Sequence, residues 1–517
     1  MNMHTIQKLN RGAGILMPIS ALPSPYGIGT LGRESYEFID FLYRAGYQYW
    51  QVLPVGPTSF GDSPYQSFSA FAGNPYFIDF NYLVEEKLIS EKEINTYEWQ
   101  EFQDFVDYSK IYEGRFQVLK SAFLRSNHKE SKEYREFCED SEFWLDDYSL
   151  YMAVKGHFNN KEWLSWDEDI RFRKSEAIKV YSTLLWEEID FWKFCQFKFS
   201  EQWHKVKDYA NKKGISIIGD IPLYVALDSA DVWVHGDLFQ LDERKKPIHV
   251  AGVPPDLFSE DGQRWGNPLY RWDEMEKQDF LWWSKRMQSS ANLYDVIRID
   301  HFIGIVNYYS IPAEYPTARI GSWCPGPGGK LMEVVKRSTP HAKIIAEDLG
   351  EITPEVKNLI QELGYPGMKV LEFGLDGNVD NDFLPHNFTT TNIVSYTGTH
   401  DNETLVGSLN SKTEEEMEFI LSYFNVTNPE DLPDVIIRTL YSSIAEVVIL
   451  QMQDLLKLDN SARINVPSTV GNNWKWRLTK KQYGSIEEEK LKQMAYLYGR
   501  APKKEMDSDD ANILKEV

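Results

Sequence analysis

Short runs of apolar residues recur along the chain, and most are followed by a stretch in which apolar residues repeat at helical spacing. Several runs are nearly continuous in Val, Ile and Leu, which is typical of parallel strands covered on both faces. We predict eight strands, at residues 13–17, 47–53, 215–219, 295–299, 343–346, 368–373, 392–396 and 463–466. Eight is the number of strands in a closed β/α barrel, although an open doubly wound sheet would give similar local patterns.

Two long intervals between these runs predict insertions into the barrel. About 160 residues separate the second and third runs, which is too long for a connection within a compact domain. Residues 83–213 contain no proline, and their apolar positions repeat at helical spacing. We therefore predict a helical inserted subdomain at residues 81–185, between barrel segments 1–80 and 186–517. A second interval, residues 225–272, mixes turn residues with Trp and Tyr and is expected to form an ordered lid region.

The composition excludes several classes of function. The chain of 517 residues has 55 basic and 78 acidic side chains, and its net charge of −23 would repel nucleic acid and anionic membranes. No stretch approaches the roughly 20 apolar residues of a membrane span. Three scattered cysteines do not make a disulfide framework, so a cytoplasmic location is expected. Aromatic residues make up 14% of the chain, which leaves some of them available for a binding surface.

Acidic residues follow several predicted strands at the end where a barrel has its active site. Alternation along the fourth strand places Arg298 and Asp300 on one face, where an inward arginine would keep the carboxylate ionised. Glu347 ends the fifth strand, Asp401 follows the seventh, and Asp220 ends the third. Each acid alone could be a helix cap, and the arginine with its neighbour could be a structural ion pair. Their placement at successive strand ends indicates a shared site.

Converging carboxylates are typical of glycosidic-bond chemistry, in which one acid gives a proton and another carboxylate attacks or stabilises the anomeric carbon. No metal is expected, because the chain has no H-x-H or similar ligand pattern. The string GIGTLG at residues 27–32 formally matches a dinucleotide fingerprint, but prolines separate it from the preceding strand. No cofactor is therefore expected. A metal-dependent barrel hydrolase remains an alternative.

Eight longer strings are far more specific than the number of strands. They are GILMPISALPSPYGIGTLG, WQVLPVGPTSFGDSPYQSFSAFAGNPYFID, GDIPLYVALDSADVW, PPDLFSEDGQRWGNPLYRW, RIDHFIG, AEDLG, THDNET and NNWKWRL. With them the chain resembles the amylomaltase family of 4-α-glucanotransferases, glycoside hydrolase family 77, over nearly its whole length. The resemblance implies an α/β fold, a (β/α)8 TIM barrel with inserted, largely helical subdomains and no separate C-terminal β-domain.

The resemblance also implies which residues act. It assigns Asp300 as the nucleophile, Glu347 as the acid/base and Asp401 as the transition-state stabiliser. The implied substrate-binding residues are Arg298, His301, His400, Ser63, Tyr65, Asp220, Asp256, Gln263 and Trp265. Two positions depart from the family pattern. Phe60 lacks the hydroxyl of the tyrosine that many members have, and Cys324 stands where a longer polar residue is expected.

The implied activity is transfer of a segment of an α-1,4-glucan to the 4-hydroxyl of glucose or of another α-1,4-glucan. Retention of the anomeric configuration would follow from a covalent glucosyl-enzyme. The implied partners are maltooligosaccharides, starch or glycogen, and the chain is expected to be a monomer or a homodimer. The main alternative is an amylase-type α-glucan hydrolase, which would use the same acids with water as the acceptor. A non-catalytic glucan-binding or regulatory protein is a further alternative.

Overall fold

The structure, a computed structural model, describes residues 8–59, 61–256 and 259–502. Their strands are β1 (Gly12–Leu16), β2 (Tyr49–Gln51), β3 (Ser216–Pro222), β4 (His249–Val253), β5 (Gln263–Pro268), β6 (Val296–Asp300), β7 (Asn307–Pro312), β8 (Ser322–Pro325), β9 (Lys343–Ala346), β10 (Gly367–Val370), β11 (Ile393–Tyr396) and β12 (Val447–Gln451). Eight of these strands form one sheet and four form another.

The eight-stranded sheet is the predicted barrel. Its strands are parallel and follow the order β10-β11-β12-β1-β2-β3-β6-β9. The backbone N–H of Ala346 in β9 donates to the carbonyl of Pro366, just before β10, at 3.0 Å and so joins the two ends of the sheet. β1, β11 and β12 are buried along their whole length, as strands covered on both faces must be. The prediction of a (β/α)8 TIM barrel is confirmed.

Seven of the eight predicted strands coincide with barrel strands, and the eighth is wrong. Residues 463–466 form a loop, and the remaining barrel strand is β12, which pairs with both β1 and β11. The apolar run of β12 begins only a few residues after a helix with its own apolar face. Periodicity alone does not separate a short buried strand from a buried helical segment, so the pattern gives no signal here.

Twenty α-helices lie along the described part of the chain. They are α1 (Arg33–Arg44), α2 (Phe80–Glu85), α3 (Glu91–Ile94), α4 (Tyr108–Arg125), α5 (Lys132–Asp140), α6 (Leu145–His157), α7 (Glu168–Arg171), α8 (Ser175–Leu184), α9 (Trp186–Lys212), α10 (Ala230–Val234), α11 (Trp272–Lys277), α12 (Leu281–Leu293), α13 (Gly329–Ser338), α14 (Pro354–Leu363), α15 (Leu405–Asn410), α16 (Glu414–Tyr423), α17 (Leu432–Ser442), α18 (Met452–Leu455), α19 (Lys480–Tyr483) and α20 (Glu488–Leu497). Helices α2 to α9 lie between β2 and β3, where the sequence predicts helical structure. The boundaries 1–80, 81–185 and 186–517 stay a prediction.

Local sequence signals explain several helix ends. α14 begins with Pro354 at its first position and ends at Gly364, which has a φ of 68°. Proline is suited to a first turn and glycine to a left-handed end, so both residues favour the observed limits. α16 begins with a capping box, in which Thr413 and Glu416 satisfy each other's backbone N–H groups.

The second sheet was not predicted. It is antiparallel, in the order β5-β4-β7-β8, and its strands come from the segments that follow β3 and β6. It therefore lies beyond the carboxyl ends of barrel strands, where a barrel has its active site. β8 pairs with β7 so that Cys324 lies opposite Tyr308. β5 includes part of the segment 225–272. The function of this segment as a lid stays a prediction.

No helix among the described residues is both long enough and apolar enough to cross a bilayer. From β12 to residue 502 the described chain forms helices and loops but no strand.

Candidate active site

Three charged side chains meet at the carboxyl ends of β3 and β6. Arg298 and Asp300 share a face of β6, as alternation predicts, and Asp220 lies opposite Arg298 in β3. The Nη1 atom of Arg298 is 2.7 Å from Asp220 Oδ1 and 2.8 Å from Asp300 Oδ1. Burial opposes the charge of Arg298, but the two carboxylates raise its pKa above the usual value. The guanidinium therefore stays charged and holds Asp300, whose side chain is 29% exposed.

A chain of contacts continues from Asp220 to the loop after β11. The Tyr65 hydroxyl donates to Asp220 Oδ2 at 2.7 Å and lies 3.3 Å from His400 Nδ1. Because this hydroxyl gives its proton to Asp220, it accepts from the imidazole. The other ring nitrogen, His400 Nε2, lies 3.4 Å from Asp401 Oδ1. Burial opposes the charge of His400, but Asp401 raises its pKa above the usual value, so the imidazolium is favoured.

Glu347 follows β9, the neighbour of β6 in the barrel. Its carboxylate accepts the backbone N–H groups of His301 and Leu349, each at 2.7 Å. Burial raises the pKa of Glu347 to about 7; Asp300 adds to the rise, while Arg298 and the two backbone donors oppose it. Such a carboxyl is partly protonated near neutral pH, so it can both give and take a proton.

Asp401 is held by residues 463–465, which lie in a loop and not in the predicted strand. The amide of Asn465 donates to Asp401 Oδ1 at 2.6 Å, and Arg463 Nη2 donates to the Asp401 carbonyl at 2.7 Å. Partial burial opposes ionisation, but His400 and then Asn465 lower the pKa of Asp401 to about 2. Both donors belong to residues 463–466, predicted as a strand. No local pattern could have identified them, because their partner is about 60 residues away.

His301 occupies a strained and buried position beside the nucleophile candidate. Its φ of 54° is in the left-handed region, which is uncommon for residues other than glycine. Burial lowers its pKa to about 4, although Asp300 opposes the shift, so the ring is neutral. Its Nε2 atom is buried and has no hydrogen-bond partner. The edge of the Trp265 ring lies against it at 4.8 Å between centroids, Tyr224 lies at 6.2 Å, and Gln263 Oε1 accepts from the Trp265 indole.

Trp474 packs with the rings of Tyr65 and His400. Its ring centroid lies 5.8 Å from Tyr65 and 5.9 Å from His400, and the latter two rings stack at 4.8 Å. Trp474 belongs to the string NNWKWRL, which supports the family resemblance but does not by itself mark a site residue. Tyr224 and Trp474 are therefore site residues that sequence reasoning misses.

The remaining predicted site residues are placed less directly. Ser63 Oγ accepts the backbone N–H of Tyr65 at 3.2 Å, so it shapes the loop before that ring. Asp256 is exposed, and its carboxylate accepts the backbone N–H of Ser259 in the same loop at 2.8 Å. Phe60 lies outside the described residues. Within the described ranges, no group of three or more His, Cys, Asp or Glu side chains is arranged to hold a metal ion.

Three carboxylates lie at the ends of the fourth, fifth and seventh barrel strands and are flanked by aromatic rings. This arrangement is typical of barrel enzymes that act on glycosidic bonds. Comparison with known proteins makes the class specific. A family profile described as 4-alpha-glucanotransferase matches residues 17–482, and the chain belongs to this family of glycosyltransferase-type enzymes.

Individual relatives agree with the family profile. The chain is 47% identical to the 4-alpha-glucanotransferase of Clostridium butyricum over 486 residues, which are 94% of this chain and 100% of that protein. It is 43% identical to the enzyme of the same name from Thermus thermophilus, covering 94% of this chain and 99% of that protein. Among solved structures, the amylomaltase from Streptococcus agalactiae in complex with acarbose has a TM-score of 0.92 at 42% identity. That match covers 95% of this chain and 100% of the other.

Proposed function

We propose that this enzyme transfers segments between α-1,4-glucans by double displacement, with Asp300 as the nucleophile and Glu347 as the acid/base. Asp300 attacks the anomeric carbon while Glu347 gives its proton to the leaving oxygen, and a covalent glucosyl-enzyme forms. In the second step Glu347 takes the proton of an acceptor 4-hydroxyl, and the new bond keeps the original configuration. The observation that supports this assignment best is the buried carboxyl of Glu347, because its pKa of about 7 suits both directions of proton transfer.

Asp401 and its neighbours stabilise charge in this proposal. The transition state has positive charge at the anomeric carbon, which an ionised carboxylate stabilises. The pKa of Asp401 is about 2, so it remains ionised at any working pH. Arg298 keeps Asp300 oriented and is itself held by Asp220.

Several side chains are proposed to bind the sugar. The unpartnered His301 Nε2 is the strongest of them, because a buried polar atom without a partner gains most from a ligand hydroxyl. Tyr65 and Trp265 present rings on which sugar faces can stack, and His400 is proposed as a partner for a sugar hydroxyl. Ser63, Asp256 and Gln263 are proposed as further contacts along the groove, with residues 225–272 as the lid that keeps water from the intermediate.

Incubation with maltotriose tests the reaction. Transfer of a maltosyl unit from one maltotriose to another predicts glucose together with maltopentaose and, after further rounds, other longer products, whereas an amylase-type hydrolase gives glucose and maltose with no longer product. Turnover would exclude the non-catalytic alternative, and activity that survives EDTA would exclude the metal-dependent one. A variant Asp300→Asn, which keeps the size of the side chain, serves as the inactive control.

A second experiment tests the covalent step. A fluorinated glucosyl fluoride slows the hydrolysis of a glucosyl-enzyme more than its formation, so the intermediate accumulates. Mass spectrometry should then find one glucosyl unit on the peptide that contains Asp300. Labelling of another residue, or of Asp300→Asn, would contradict the assignment.

We further propose that the enzyme works in the cytoplasm on maltodextrins or glycogen. The three cysteines, Cys138, Cys195 and Cys324, are all free thiols, which suits a reducing compartment.

A further inference from the structure

A fifth acidic residue lies between Glu347 and Asp401 at the mouth of the barrel. β10 lies between β9, which precedes Glu347, and β11, which precedes Asp401. Glu372 follows β10 by two residues, and its backbone N–H donates to the carbonyl of Thr397, the first residue after β11, at 3.2 Å. The backbone of Glu372 is therefore joined to the start of the loop that contains Asp401.

The side chain of Glu372 reaches further into the same loop through Asn402. The Asn402 amide nitrogen donates to Glu372 Oε1 at 3.1 Å. The amide oxygen of Asn402 accepts both the backbone N–H and the hydroxyl of Thr399, each at 2.9 Å. Asn402 is only 6% exposed, and its own N–H donates to the Thr399 carbonyl at 3.2 Å. These contacts close a turn whose two central residues are His400 and Asp401.

We infer that Glu372 is a positioning residue for Asp401: through Asn402 it holds the turn that aims the stabilising carboxylate at the anomeric carbon. This inference rests on the proposed function, because it takes Asp401 as the stabiliser. Glu372 is not part of the assigned machinery and acts through another side chain. A displacement of well under 1 Å at a group that interacts with developing charge is enough to lower the rate.

The charge on Glu372 makes this arrangement dependent on pH. Burial raises the pKa of Glu372 to about 7; the charge of Glu403 adds to the rise, while the Asn402 amide, the Glu403 backbone and Arg463 oppose it. The charged groups among them are Glu403, in the loop after β11, and Arg463. An ionised carboxylate accepts from an amide more strongly than a neutral one. The turn is therefore held most firmly above pH 7 and is loosened as the pH falls through that value.

Two variants separate the contact from the charge. Glu372→Leu removes the acceptor, and we expect kcat on maltotriose to fall about tenfold with KM within twofold, because ground-state binding is untouched. Glu372→Gln keeps an acceptor oxygen without a titrating proton. We expect its kcat at pH 8 to stay within about threefold of the original enzyme and the fall of kcat between pH 7 and 6 to become smaller. Glu34→Gln, which changes another buried glutamate on α1, is the matched control and should leave the profile unchanged.

A double-mutant cycle with Asp401→Asn shows whether the effect passes through Asp401. If it does, Glu372→Leu costs less than twofold in the Asp401→Asn background, since there is no carboxylate left to position. A full tenfold loss in both backgrounds, or an unchanged pH profile in Glu372→Gln, would overturn the inference. If Glu372→Leu does not fold, the profile of Glu372→Gln decides. Failure of the proposed function is distinguishable, because Asp401→Asn alone would then keep the original rate.

Discussion

Adjacent acids at one strand end have different environments, and their contacts separate their functions. After β9 the Glu347 carboxylate contacts the backbone of the site, whereas Asp348 Oδ1 accepts the backbone N–H of Met368 at 2.7 Å. Gly367 leaves the space for this contact, since a Cβ there would lie 2.4 Å from the Asp348 carboxylate. Asp348 therefore ties β9 to β10, which supports the proposal that Glu347 is the acid/base.

Glu347→Gln is expected to lower kcat at least ~100-fold, because an amide cannot give or take the proton. The pKa of Glu347 is raised to about 7, so the acid form required by the first step is lost as the pH rises through that value. The alkaline fall of kcat should centre near pH 7 and disappear from the residual activity of the variant. Asp348→Asn, which retains an acceptor oxygen for Met368, is the matched control and should keep the rate within severalfold. Equal losses in both variants would move the acid function away from Glu347.

Asn465→Leu is expected to lower kcat roughly tenfold or more, because it removes a hydrogen bond to a charged group at Asp401. The donor also helps to keep the pKa of Asp401 near 2, so its loss should raise that pKa and add a fall of kcat at the acid end of the range, near pH 4. Steady-state kinetics between pH 4 and 8 measure both effects. An unchanged kcat and acid limb would show that His400 alone holds the carboxylate.

At the scale of elements, the two edge strands of the antiparallel sheet differ in their distance from the candidate site. β5, at one edge, includes Gln263 and Trp265, and Trp265 touches His301. β8, at the other edge, includes Trp323, which is 43% exposed. The two tryptophans therefore lie at opposite edges of the same small sheet, and Trp265 is the one beside His301.

Trp265→Ala is expected to increase the share of hydrolysis relative to transfer, because water would reach the glucosyl-enzyme beside His301 more easily. The reducing ends released per maltopentaose formed from maltotriose measure this share. We expect a rise of several-fold, together with weaker glucan binding. Trp323→Ala, in the opposite edge strand, should leave the share unchanged. A similar rise in both variants would indicate a general loosening of the sheet and not exposure of the intermediate.

At the scale of the whole molecule, a single buried arginine joins distant parts of the chain on the side of the barrel opposite the site. Arg500 follows α20 and is fully buried. Its guanidinium donates to the carbonyls of Tyr441 at 2.8 Å, Ser443 at 3.1 Å, and Gly12 and Glu446 at 3.2 Å each. These carbonyls lie at the end of α17 and just before or at the start of β12 and β1, so the end of the described chain fastens the region where the barrel begins.

Arg500→Met is expected to lower the free energy of unfolding by roughly 3 kcal/mol or more, because the hydrogen bonds of one buried guanidinium to four carbonyls are lost at once. The melting temperature should fall by several degrees, while kcat at 25 °C stays the same, since the site is at the other end of the strands. Arg33→Met is the control, because this arginine side chain is 80% exposed and its pair with Glu37 contributes little. Calorimetry measures the melting temperature of both variants. A fall for Arg500→Met but not for Arg33→Met would show that Arg500 stabilises the fold.

The sequence by itself determined the barrel and predicted the three acids, because local patterns and family strings indicate both. Apolar runs define strands that are buried on both faces, and alternation places Arg298 and Asp300 on one face before any contact is known. Family strings then define the ends of the strands more sharply than periodicity does. Such patterns do not predict β12, because a short apolar run beside a helix cannot be told from a buried helical segment by its periodicity.

Only the tertiary structure decided how the acids are held and tuned. Asn465, Trp474 and Glu372 reach the site from other parts of the chain, and their relevance depends on contacts at 2.6 Å to 5.9 Å that no spacing encodes. The pKa of Glu347 is set mainly by its burial, and that of Asp401 by His400 and the Asn465 amide. Burial and long-range contact are properties of the folded chain, since the unfolded sequence exposes every carboxyl to water alike. The sequence therefore shows which acidic residues are present, and the fold determines their pKa values and so their protonation states.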